Sequence, residues 1–139
     1  MRITYRYNDN KTYWRKRWSD VPVDKPMENR DAYPRKYAEL TIPKNDGPIL
    51  EAGCGNGRIL RYYHNQGYEI FGFDFIKVAI DKLKIMDTTL RVEVGDITEL
   101  RFENESFKYL LAFGLYHNLE NGLEDAISET HRVLIKNGL

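Results

Sequence analysis

Residues 49–57 read ILEAGCGNG. Two apolar residues run into an acid, and glycines then stand at every second position, as Gly53, Gly55 and Gly57. An ordered glycine costs about 0.5–1 kcal/mol relative to alanine inside a regular element. Three of them within five residues therefore need a reason. A loop that follows an apolar strand supplies one. In open α/β sheets, ligands lie beyond the carboxyl ends of the strands, and backbone without Cβ atoms can approach a ligand closely. The helix expected from Arg58 onward would aim its first amides and its partial positive charge at the same place, which favours a carboxylate or phosphate.

Strand and helix patterns alternate on either side of this loop. PILEAG (48–53) is a short apolar strand, and RILRYYHNQG (58–67) is a helix with Ile59, Leu60 and Tyr63 on one face and Gly67 as its stop. YEIFGFD (68–74) is a second strand. KVAIDKLKIMD (77–87) is an amphipathic helix with Ala79, Ile80, Leu83 and Met86 at helical spacing. LRVEVGD (90–96) alternates like an edge or half-buried strand. FKYLLAFG (107–114) runs apolar through residues 109–113, as a strand covered on both faces would. LEDAISETHRVLI (123–135) reads as a helix with Leu123, Ala126, Ile127, Thr130 and Leu134 on its apolar stripe. Such alternation predicts a mainly parallel sheet with helical crossovers.

Residues 1–47 differ in texture and are read as an N-terminal extension or lid on a domain spanning 48–139. They are punctuated by prolines, and one or two short helices are expected there, one around residues 30–39. The chain carries 21 basic and 21 acidic side chains, yet residues 1–36 hold ten basic against five acidic. A basic arm on an acidic body can guide anionic substrates; its plainer reading is a solvated segment partly paired with the body. Within it, TYWRKRW (12–18) interleaves aromatic and basic residues. That pattern can bind nucleic acid, but so short a stretch is read here as a lid.

A length of 139 residues fits one domain. No apolar run reaches the ~18–20 residues of a membrane span, and MRITYRYNDN lacks the apolar core of a signal peptide. A cytoplasmic protein without a membrane partner is expected. The single cysteine, Cys54, excludes an internal disulfide and a cysteine-rich metal site; its place between two glycines suits a small structural residue. His64 and His131 are scattered helix residues, His131 being expected partly buried, and no metal site is predicted.

Two more residues extend the pattern. Asp74 ends the second strand, where a carboxylate can accept both hydroxyls of a ribose. Asp96 follows the third, where it can accept from an exocyclic amine such as that of adenine. The glycine spacing is G-x-G-x-G, with Arg58 where a dinucleotide-binding loop would place its last glycine. This weakens a nicotinamide-dependent oxidoreductase reading.

With these residues in place the sequence resembles the class I S-adenosylmethionine-dependent methyltransferases. ILEAGCGNGRIL looks like their first motif, and IFGFDFIKVAIDKLK, VEVGDI, FKYLLAFGLYHNLEN and AISETHRVLIKNG resemble the motifs that follow, over residues 48–138. The resemblance implies a Rossmann-like sheet and S-adenosyl-L-methionine as cofactor. It implies that Glu51, Gly53, Gly55 and Gly57 surround the methionine part, that Asp74 takes the ribose and that Phe75 covers one face of the adenine. Asp96 and the backbone of Ile97 would meet the adenine edge, and the Phe113 carbonyl the cofactor's amino group. Ile76 stands where the family often has a capping residue.

The family sheet has seven strands in the order 3-2-1-4-5-7-6. Only strands 3-2-1-4 are expected in this sequence, because IKNGL (135–139) stands where the turn into the fifth would begin. The expectation is thus a truncated member. The fourth strand would then be an unprotected apolar edge, to be covered at residues 109–113 by the N-terminal arm, a second copy of the chain, a partner chain or a missing C-terminal piece. The activity implied is methyl transfer to an unidentified small-molecule or macromolecular nucleophile. The alternative is a cofactor-binding protein with little or no turnover that acts as a subunit or dimer. No catalytic residue is assigned; His117, after the fourth strand on the expected active-site floor, is a candidate general base.

Overall fold

A computed structural model describes residues 9–23 and 25–139. Its order is α1 (Asn10–Asp20), α2 (Tyr33–Thr41), β1 (Ile49–Ala52), α3 (Arg58–Asn65), β2 (Ile70–Asp74), α4 (Lys77–Met86), β3 (Arg91–Val94), β4 (Tyr109–Ala112), a 3-10 turn (Tyr116–Asn118) and α5 (Leu123–Val133). The four strands form one parallel sheet in the order β3-β2-β1-β4. Ile49 pairs with Ile70 on one side and Tyr109 on the other, so the three strand tips end level.

Alternation along each strand divides the core into two layers. Ile49, Ile70, Val92, Tyr109 and Leu111 face α2, α3 and α4, meeting Ala38, Leu60, Tyr63, Ile80 and Leu83. Leu50, Ala52 and Phe73 face the other way, toward Phe107 and the Ala126 and Val133 side of α5. Phe71, Phe102 and Phe107 pack edge to face in this second layer, with centroids 4.9–6.2 Å apart. The Arg132 guanidinium ties α5 to the loop after β3 through the carbonyls of Leu100 (3.0 Å) and Phe102 (2.7 Å).

Three expectations about faces change. Helix α5 buries Ala126 and Val133, while Leu123 and Ile127 are 48% and 56% exposed. Helix α4 ends with Met86 exposed beyond its buried Ala79, Ile80 and Leu83. His131 is exposed rather than partly buried. Each misplaced residue sits on a helix whose apolar positions exceed the stripe that one sheet face can cover, and periodicity cannot say which of them is left outside.

The free edge of β4 is met from within the chain. After α5 the backbone returns along it, pairing Phe107 with Leu134. Leu139 then donates to the Lys108 carbonyl at 2.9 Å and accepts from the Leu110 amide at 2.7 Å. This contact comes from the chain's own residue 139, which was not among the coverings expected for that edge.

Candidate functional site

The β1–α3 loop carries left-handed backbone at all three of its glycines, with φ of +69° at Gly53, +53° at Gly55 and +70° at Gly57, a region that costs an L-residue about 1–2 kcal/mol. Their surroundings differ. Gly53 lies on the wall of a cavity. Gly55 lies under an indole, since a Cβ there would stand 2.5 Å from the six-membered ring of Trp18. Gly57 is the N-cap of α3 and faces Leu83 of α4, whose Cδ2 would be 2.9 Å from an added Cβ.

The loop is fastened to the tip of β2. Asp74 is buried, 5% exposed, and accepts from the Gly55 amide on Oδ2 and from the Ile76 amide on Oδ1, each at 2.9 Å. Burial pushes its carboxyl up, and the two amides oppose that shift. Helix α4 starts at Ile76 without a side-chain cap, as expected.

Glu51 lies beneath the loop and is buried. Its carboxylate accepts from the Leu60 amide in the first turn of α3, while Oε2 has no protein partner. Desolvation raises its pKa to about 8, with Asp74 adding a smaller push. Part of the helix terminus that sequence reasoning left open to a ligand is thus occupied by this side chain. Cys54 is buried, with its thiol pushed well above its ordinary value by burial.

A cavity of about 430 Å³ opens over the tips of β1, β2, β3 and β4. Gly53, Asp74, Phe75, Asp96, Ile97 and Phe113 all line it. Glu51, Gly55, Gly57 and His117 do not. Asp96 is held in a turn, its Oδ1 accepting from the Thr98 amide (2.9 Å) and hydroxyl (2.8 Å). Phe113 meets Tyr33 edge to face at 6.0 Å. His117 is exposed on the 3-10 turn, with Nε2 3.1 Å from the Asn118 amide nitrogen. Among the described residues no group of His, Cys, Asp or Glu is placed to hold a metal, and no helix is long and apolar enough to cross a membrane.

The remaining wall comes from α1 and the segment after β4, including Trp14, Trp18, Leu115, Asn118 and Glu120. The sequence signal for α1 was the pair Trp14 and Trp18, four residues apart and so on one helix face; their rings stack at 5.7 Å. The segment after β4 was expected at the site through His117, but Leu115, Asn118 and Glu120 line the cavity instead, because a segment without periodicity does not show which of its side chains turn inward.

The family described as "Methyltransferase domain" matches residues 50–139. The malonyl-[acyl-carrier protein] O-methyltransferase of Salmonella typhimurium is 29% identical over 91 residues, 66% of this chain and 36% of that protein. An uncharacterized methyltransferase of Schizosaccharomyces pombe is 28% identical over 86 residues, 59% of each. The chain therefore spans about a third to three fifths of these relatives. Among solved structures, a TehB-like SAM-dependent methyltransferase from Corynebacterium glutamicum is 27% identical, with a TM-score of 0.68 over 92% of this chain and 68% of that one.

Proposed function

The chain belongs to the methyltransferase-domain family, and from that premise we propose that it binds S-adenosyl-L-methionine in the cavity at the strand tips and transfers the methyl group to an N, O or C nucleophile. The observation that carries this reading is the convergence of Gly53, Asp74, Phe75, Asp96, Ile97 and Phe113 on one cavity. Its volume lies within the range usual for small-molecule sites, about 300–1,000 Å³.

The residues suit the group. A carboxylate has about four acceptor positions, and the Gly55 and Ile76 amides use two on Asp74. The other two match a pair of ribose hydroxyls. On Asp96 both bonds fall on Oδ1, leaving Oδ2 to accept from an adenine amine. Phe75 and Ile97 supply apolar surface for the purine, and the Phe113 carbonyl an acceptor for the amino group. Glu51 and Gly57 act from behind the loop by shaping it.

The bound sulfonium supplies a methyl carbon that is already electrophilic. The chain's task is to exclude water and align donor with acceptor, a contribution worth roughly 7–11 kcal/mol. No general base is required, in keeping with the position of His117 outside the cavity.

Two further parts of the reading concern setting and partners. A reducing cytoplasm fits a single, buried cysteine. A strand from a second copy, a partner chain or a further C-terminal piece would add at the Ala112 end of β4; sedimentation of the purified chain checks the second copy.

Calorimetry with S-adenosylhomocysteine tests the cofactor, and transfer of labelled methyl groups to a panel of nucleophiles tests turnover. Thermal stabilisation by S-adenosylhomocysteine and not by NADH is expected. Stabilisation by NADH alone would replace this reading with the oxidoreductase one.

A further inference from the structure

Helix α1 has an unusual means of support. None of its eleven residues is buried, and an isolated helix of that length is marginal in water. It must be held by its ends and by its indoles. At the start, Asp9 caps the helix through the Thr12 amide (2.9 Å) and hydroxyl (2.7 Å). Glu120 accepts from the Asn10 amide at 2.7 Å, and the Asn10 side chain donates to the Asn118 carbonyl. These contacts tie the first turn to the segment after β4.

The other end lies against α4, and Lys82 of that helix is its polar anchor. Lys82 of α4 directs its Nζ at three carbonyls in the last turn of α1 and just beyond it, those of Trp18 (2.6 Å), Ser19 (3.0 Å) and Val21 (3.1 Å). An ammonium has three donors and no acceptor, so this group is fully used. Its place at the negative end of a helix adds a favourable charge–dipole interaction. Between the two ends Trp18 rests on Gly55 and Trp14 stacks on Trp18. The strap therefore covers the part of the glycine loop that would otherwise open into the cavity.

The geometry points to Lys82 as a positioning residue for the cofactor site: it latches α1 over the glycine loop, and the breaking of that latch governs entry to and exit from the cavity. This rests on the cofactor reading above. The strap has the features of a low-stability unit that opens alone, with no buried residue of its own among the eleven of α1. It contains Arg15, Lys16 and Arg17, all exposed, which makes its opening visible to trypsin.

The test has two arms. Without ligand, tryptic cleavage after Arg15, Lys16 or Arg17 in Lys82→Gln is expected to be about tenfold faster than in wild type, because cleavage tracks the population of the opened segment. Lys82→Arg, which keeps the charge and donors, should stay near wild type, and Trp18→Ala should release the same segment from its other contact. Hydrogen exchange in β1 and β2 of all three verifies an intact sheet. In stopped flow, Lys82→Gln should raise both association and dissociation rates of S-adenosylhomocysteine at least about fivefold, since gating acts on both directions of exchange. A merely structural lysine would lower the melting temperature and leave those rates alone. Cleavage of Lys82→Gln within about twofold of wild type would overturn the latch, whatever Trp18→Ala does. Failure of S-adenosylhomocysteine to bind would sink the cofactor reading while leaving the ligand-free arm decisive for the strap.

Discussion

The Asp74 carboxylate holds the Gly55 amide at 2.9 Å. One bond thereby joins the tip of β2 to the middle of the glycine loop after β1. The same side chain that would take the ribose also sets the loop that would meet the methionine part.

Asp74→Ala should therefore fail twice. Loss of a charged acceptor is worth about 1.5–3 kcal/mol per bond, so affinity for S-adenosylhomocysteine should fall roughly 10–100-fold. The loop should also loosen, visible as faster hydrogen exchange at Gly55. Calorimetry on both proteins checks the first effect. Equal affinities would remove Asp74 from the ribose.

Gly55→Ala meets two obstacles, a φ of +53° and the Trp18 ring. It should cost about 1–2 kcal/mol from backbone strain alone, plus a displaced indole seen as a shift in tryptophan emission. Combining it with Trp18→Ala should recover the packing part and not the backbone part. Urea unfolding of the three variants separates them.

Glu51 couples stability to pH. Burial lifts its folded-state pKa to about 8, above the ordinary glutamate value of 4.5. The folded chain thus holds a proton that the unfolded chain releases earlier. The contribution is full below pH 4.5, declines as pH rises toward 8 and is gone above it. Glu51→Gln keeps a neutral side chain at every pH. The stability difference between variant and wild type should shift in the variant's favour from pH 5 to pH 8, as measured by denaturant unfolding. A difference independent of pH would contradict the assignment.

The two sides of α5 should differ. Val133 is fully buried and Ile127 is 56% exposed. Val133→Ala should cost about 2 kcal/mol from lost burial and the cavity it leaves. Ile127→Ala should stay within about 0.5 kcal/mol, as surface substitutions usually do. Reversed magnitudes would restore the stripe expected from periodicity.

Much of this was legible beforehand because it depends on neighbours in sequence. Strand–helix alternation announced the parallel sheet, and its order, with β1 between β2 and β4, was expected from the resemblance carried by the glycine loop, Asp74 and Asp96. The site was half legible. Gly53, Asp74, Phe75, Asp96, Ile97 and Phe113 stand on the cavity wall, since a residue at a strand tip is placed by the strand itself. Glu51 lies within β1 and turns its side chain under α3, while His117 is off the wall because side-chain direction in the turn after β4 depends on what packs behind it. Burial of Glu51 under α3 and exposure of His117 on the 3-10 turn are products of that packing.

The sequence alone determined which segments are strands and helices, and which strand ends carry glycine or carboxylate, because backbone sterics and hydrophobic periodicity act over a few residues. Only the tertiary structure decided that Trp18 lies on Gly55, that Lys82 closes the end of α1 and that Leu139 meets the edge of β4. Those contacts join residues 29 to 64 positions apart. No local propensity specifies them; they follow from how the helices settle once the sheet has formed.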